Sequence, residues 1–181
     1  LGQDASVAAL PEIIHERTKG NPFFIEEVVQ SLVENGHLAG ARGAYRLTTP
    51  VETLPVPASV QAVLAARIDR LPEREKQLLQ TAAVIGKTFS ETLLRQVVAS
   101  VATIDDAALS DSLSALAAAE FLFEASLYPQ LEYSFKHPLT QEVAQGSQLR
   151  ERRVRVHAAV AQALEEAGGN LDERAAEIAL H

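Results

Sequence analysis

Several stretches of this chain hold residue types that could do chemistry. Gly86-Lys87-Thr88 ends like a phosphate-binding loop. Such a loop needs G-x-x-x-x-G-K-[ST], because glycine N–H groups must wrap the phosphates. The first glycine would fall at residue 81, which is Thr81, and the run follows a helical stripe instead of a buried strand. The plainer expectation is a helix end, with Gly86 as the stop and Lys87 favourable to the helix dipole. The histidines are His15, His37, His137, His157 and His181, and no two have the close spacing of a metal site. His137 stands apart, where a strand hands over to a helix beside Pro138 and three residues before Thr140. A ring there can reach past the helix start towards an anion; pattern alone favours a structural role. Arg150, Arg152, Arg153 and Arg155 form a basic cluster broken by Glu151. In a winged helix it could touch DNA backbone; otherwise it is a solvated face or a contact with a neighbouring domain. Glu26-Glu27 and Asp105-Asp106 are adjacent pairs. Adjacent helical residues diverge by about 100°, so solvated faces and caps explain them best. No serine or threonine has a histidine and an acid at a recognisable nucleophile spacing.

The elements that position these residues read mostly as helices. Pro11 to Arg17 forms a short helix, broken by Lys19-Gly20-Asn21-Pro22. Asn21 is a good N-cap and Pro22 a good first residue for the next helix. That helix turns Phe24, Ile25, Val28, Val29 and Leu32 inward and Glu26, Glu27, Gln30 and Glu34 to water, and Gly36 stops it. Leu38 to Leu47 is a hairpin punctuated by Gly40 and Gly43. Thr48 to Pro57 carries Pro50, Pro55 and Pro57, so it is an extended linker and the expected domain boundary. Four helical stripes follow, led by Val60, Leu78, Leu93 and Leu109, with Ser90 and Asp105 or Asp106 as caps. The period then changes to two in Phe121/Phe123 and Leu131/Tyr133/Phe135, with Pro129 in the turn. Helices followed by a two-stranded hairpin give a winged-helix pattern. Pro138 opens another helix, and a long one runs from about Leu149 to Ala167 with Leu149, Val156, Val160 and Leu164 inward. Gly168-Gly169 ends it, and Leu171 to His181 begins one more.

Composition bounds the function classes. Hydrophobic residues make up 47% and charged residues 22%, as in a globular protein. A formal net charge of -8 opposes non-specific binding to DNA or anionic membrane. The chain has no cysteine, which excludes disulfides, thiolate nucleophiles and thiolate zinc sites. No apolar run approaches the ~20 residues that span a bilayer. The absence of cysteine fits a reducing cytoplasm, and a chain that lacks methionine and opens on Leu1 is expected to be a piece of a longer polypeptide.

Certain segments, taken in order, resemble one family. These are Thr18-Lys19-Gly20-Asn21-Pro22-Phe23-Phe24-Ile25-Glu26-Glu27, Leu54-Pro55-Val56-Pro57, Ala66-Arg67-Ile68-Asp69-Arg70-Leu71 and Ala82-Ala83-Val84-Ile85-Gly86. Phe135-Lys136-His137-Pro138-Leu139-Thr140-Gln141-Glu142-Val143-Ala144 and Arg153 through His157 complete the set. Together they resemble STAND ATPases (signal-transduction ATPases with numerous domains). The likeness is to bacterial members fused to class III adenylate/guanylate cyclase, protein kinase or LuxR-type DNA-binding domains.

The resemblance implies a G-x-P segment in a helical lid, with Gly20 allowing close approach and Pro22 packing near adenine. It implies a winged-helix domain whose strand-to-helix step carries a histidine, here His137, that contacts the ADP β-phosphate. The related M-H-D motif has Met and Asp where this chain has Lys136 and Pro138.

The expected fold is therefore mainly α. Residues 1–57 would end an ATPase lid with its G-x-P segment and small hairpin. Residues 58–148 would form a winged-helix domain with a small β-hairpin, and 149–181 would lead into helical repeats. The implied cofactor is ADP or ATP with magnesium in the intact parent, none being expected for this segment alone. The implied partners are a P-loop domain earlier in the same chain and helical repeats after it, with oligomerisation on activation. Neither membrane nor nucleic acid is an expected partner. The segment would sense nucleotide for an output domain without being an enzyme by itself. The alternatives are a winged-helix DNA-binding regulator and a nucleotide-independent interaction adaptor.

Overall fold

A computed structural model of the chain describes residues 1–54, 56–102 and 104–166, except for the side chain of Glu52. The fold is mainly helical, with two small antiparallel sheets. It divides into two compact units, Leu1–Arg67 and Ile68–His181. The division falls inside one helix, beyond the proline-rich stretch. The last expected helix, Leu171 to His181, and the Gly168-Gly169 stop lie outside the described residues.

The first unit begins with a short 3-10 turn at Ala5–Val7, capped by Asp4. Helices α1 (Leu10–Thr18) and α2 (Pro22–Glu34) follow, then strands β1 (Leu38–Ala41) and β2 (Ala44–Leu47). A second 3-10 turn, Val51–Thr53, interrupts the proline-rich stretch. Helix α3 spans Val60–Arg70. The core of this unit gathers Val7, Leu10, Ile14, Phe24, Val28, Leu32, Leu38 and Val63. The hairpin pairs Leu38 with Leu47 and Ala41 with Ala44. Gly40 is therefore a strand residue opposite Tyr45, not part of the turn.

The second unit runs α4 (Glu73–Ile85), β3 (Thr88–Ser90), α5 (Glu91–Val101), α6 (Asp106–Ala118), β4 (Leu122–Ser126), β5 (Glu132–Phe135), α7 (Pro138–Gly146) and α8 (Arg150–Glu166). Its sheet has three strands in the order β3-β5-β4. β3 carries no alternation of its own to announce it. It is recruited as an edge strand when Thr88 pairs with Ser134 and Ser90 with Glu132. β5 is thereby central, which is why Tyr133, Ser134 and Phe135 are all buried. Phe121 and Leu122 are both buried, whereas Phe123 is 48% exposed. The expected Phe121/Phe123 alternation fails because Phe121 precedes the strand and Leu122 is the residue that pairs with Phe135.

Caps fix the helix ends. Ser90 Oγ accepts the Leu93 N–H at 3.2 Å and Asp105 Oδ1 accepts the Ala108 N–H at 2.7 Å. The core packs α4, α5, α6 and α8 through Leu79, Leu94, Leu113, Val156 and Val160, joined by Phe121 and Phe135. Leu149 is 81% exposed and not inward, since it precedes the first turn of α8.

Candidate functional site

The Gly20–Pro22 corner is built by two consecutive left-handed residues. Lys19 has φ 53° and Gly20 φ 75°, so α1 stops and the chain reverses into α2. A Cβ on Gly20 would also stand 3.2 Å from Cε1 of His15. Asn21 Oδ1 accepts the Phe24 N–H at 3.1 Å, and the Asn21 carbonyl accepts the Ile25 N–H at 3.0 Å. Pro22 has no N–H to offer. The start of α2 is thus engaged by its own cap. What the corner presents outward is the exposed apolar ring of Pro22. That surface suits packing against a flat, apolar face better than cradling a phosphate.

One turn further on, the structure corrects the sequence reading of α2. Glu27, expected in water, is 4% exposed, and Arg67 of α3 is 2% exposed. Arg67 Nη1 donates to Glu27 Oε2. Its Nε donates to Glu34 at 2.9 and 3.1 Å, and its Nη2 at 2.5 Å. Burial pulls the Arg67 guanidinium down, but hydrogen bonds and charge from Glu34 and Glu27 outweigh it, so its net pKa is raised. One guanidinium fork therefore joins two carboxylates seven residues, about two turns, apart on α2. The sequence holds a partial signal for this. Glu27 lies three residues from Phe24 and one from Val28, on the apolar edge of the helix. No local pattern points to Arg67 as its partner.

His137 is the N-cap of α7. Its backbone is extended, and its ring folds back so that Nδ1 accepts the Leu139 N–H at 3.1 Å. The His137 carbonyl accepts the Thr140 N–H at 3.0 Å. Nδ1 must be unprotonated to accept, so the neutral ring carries its proton on Nε2. The ring is half-buried. Nδ1 of the ring therefore serves the helix cap instead of reaching past the helix start.

Neighbouring contacts fix this step. Lys136 pairs with Glu120, and the Lys136 N–H donates to the Phe121 carbonyl at 3.1 Å. α7 is tied to α4 by side-chain amides. Gln141 Nε2 donates to the Ala83 carbonyl at 3.0 Å, and Gln80 Nε2 to Ser147 Oγ at 2.9 Å. Gln148 Nε2 donates to the Gln80 carbonyl at 2.6 Å. These glutamines position α7, and sequence pattern missed them because uncharged amides carry no periodic signal.

The other candidates are spent on structure. Gly86 closes α4, with its N–H on the Ala82 carbonyl, and the Lys87 carbonyl accepts the Phe135 N–H at 2.9 Å as the chain enters β3. The arginines of α8 do not share one face: Arg150 and Arg155 are exposed, Arg152 and Arg153 half-buried. Among the described residues, no three His, Asp or Glu side chains are grouped to hold a metal. Likewise no helix among them is long and apolar enough to cross a membrane. Gly20 and Pro22 meet at one corner of the first unit, and His137 belongs to the second.

A family profile described as a domain of unknown function (DUF8739) matches residues 1–44. The match takes in α1, the Gly20–Pro22 corner, α2 and β1, and stops short of Arg67. A search of curated proteins returns no match.

Proposed function

We propose that this chain is the nucleotide-sensing region of a STAND-type signalling ATPase, coupling ADP or ATP occupancy to an output domain of the same polypeptide. The observation that carries the reading is the seat of His137. It follows the central strand β5 after Lys136 and caps α7 through Nδ1, which leaves Nε2 as the nitrogen that bears the proton. In a nucleotide-docked state an imidazole at this step would offer its Nε2–H to a phosphate oxygen.

The order α4-β3-α5-α6-β4-β5, with β3 beside β5, supports a winged helix. The capped α2 start with its exposed Pro22 supports a lid corner that packs on a base and leaves phosphates to other groups. The phosphate-binding loop and the magnesium-holding acid would come from a preceding domain.

The DNA-binding alternative finds little charge where it needs it. In a helix-turn-helix reader the helix before the wing enters the major groove. Here that helix is α6, which carries Asp106 and Asp111 and no basic residue. The strands of the wing bring Glu124 and Glu132. Phosphate contacts need cations, so this face repels the duplex.

Magnitudes limit what His137 does alone. Moving a switch from 1:99 to 99:1 takes about 5.5 kcal/mol of differential affinity. One hydrogen bond to a charged group supplies about 1.5–3 kcal/mol. His137 would therefore bias the closed state, with the remainder spread over the docked surfaces.

The test is ADP release from the full-length parent. His137→Ala should speed release by about tenfold or more. His137→Asn keeps an N-cap acceptor but shortens the reach, so it should speed release similarly while preserving the melting temperature. Wild-type release rates in both variants would overturn the reading.

A further inference from the structure

We propose that the second unit carries a binding pocket for a small amphipathic carboxylate, anchored by Arg152, between α4, α5 and the start of α8. The inference does not rest on the nucleotide reading, and His137 is not among the residues lining this pocket.

The pocket has a volume of about 290 Å³. That is near the lower end for small-molecule sites, so it fits a short ligand. Its walls are apolar where α4 meets the end of α5: Leu78, Val98, Val101 and Ile104. Two cations line it, Arg74 and Arg152, and the buried Nε–H of Arg152 has no acceptor among the described residues. A buried donor of this kind calls for a partner, and a guanidinium edge matches a carboxylate with two parallel bonds. Glu73 also lines the pocket, but its carboxylate accepts from Gln77 Nε2 at 2.5 Å. Glu73 lowers the local positive potential without filling the Arg152 edge.

The chemistry selects one class of ligand. With Arg74 counted, the lining carries two positive charges and one negative, a net of +1. A monoanion balances it, whereas a phosphate dianion would leave a net negative charge beside Glu73. The four apolar side chains require a hydrocarbon tail on that monoanion. Burial lowers the Arg152 pKa, which shows how poorly the site solvates this cation by itself. A carboxylate would restore that lost solvation.

Sodium hexanoate is the probe, titrated into the 181-residue chain and followed by methyl chemical shifts and melting temperature. Saturable shifts at Leu78, Val98, Val101 and Ile104, with a rise in melting temperature, are expected. Arg152→Gln should weaken hexanoate by about tenfold or more while leaving hexanol binding unchanged. Should that variant unfold, Val101→Glu at the half-buried wall offers a second route, since it should abolish hexanoate binding by repulsion. Three results would each overturn the proposal. They are no saturable binding, equal affinity in Arg152→Gln, and displacement of hexanoate by inorganic phosphate at equal concentration. Binding by a chain ended at Glu166 but not by the full chain would assign the pocket to the chain's own later residues and overturn it too.

Discussion

At the scale of single residues, a buried arginine and a half-buried histidine have distinct electrostatic consequences. Arg67 is enclosed with Glu27, and breaking a buried pair by removing one partner costs about 3–5 kcal/mol. Arg67→Met should therefore lower the stability of the first unit by that order in urea titration. Arg67→Met combined with Glu27→Leu should recover most of the loss, because no uncompensated carboxylate stays buried; Glu34, 28% exposed, can hydrate. A double variant no more stable than the single would show that the pair does more than balance charge. His157 gives the pH dependence. Burial, then the charge of Arg153, holds its pKa below the ordinary value. An unfolded histidine titrates near about 6.5, so in the window just below that the unfolded chain binds more protons. Stability should fall as pH drops through that window and level off below the folded value. Comparing urea midpoints of the wild type and His157→Gln between pH 8 and pH 5 isolates this component; parallel profiles would contradict it.

At the scale of elements, the hairpin and the helix caps show where backbone geometry dominates. Gly40 has φ 113°, and a Cβ there would lie 2.5 Å from the Ala44 carbonyl oxygen across the ladder. Both the dihedral and the contact exclude a side chain, so Gly40→Ala should cost about 1–3 kcal/mol. Gly43 sits in the turn with open space around it, so Gly43→Asn should be far milder. Equal losses at the two sites in thermal melts would mean that the turn, and not the strand crossing, sets the hairpin. The caps belong to the same scale and were legible locally. Asn21, Ser90 and Asp105 each lie three residues before the N–H they accept. His137 was legible as a strand-to-helix step but not as a cap, since imidazole is an uncommon N-cap and its orientation depends on the packing beneath it.

At the scale of the whole molecule, each unit has its own apolar core, one around Leu10, Phe24 and Leu32, the other around Leu79, Leu113 and Phe135. Among the described residues, the second core draws on none before Ile68. A chain starting at residue 58 should therefore keep the cooperative melting and helical circular dichroism of the second unit. Loss of a cooperative transition would show that the second unit depends on the first. The net charge of -8 is spread over both units and accords with α6, β4 and β5 carrying no Lys or Arg.

Taken alone, the sequence determined whatever depends on neighbours a few residues away: helix stripes, caps, the two prolines that open α2 and α7, and the mainly helical class. Hydrophobic period and capping chemistry are local, so they survive without a fold. Only the tertiary structure decided the rest. β3 exists because β5 lends it a ladder. Glu27 is buried because Arg67 arrives from 40 residues away to neutralise it. His137 turns Nδ1 inward because Leu139 offers an N–H there while α4 holds α7 in place. Each of these requires a partner distant in sequence or a side-chain direction fixed by packing, and neither is written in a local pattern of residues.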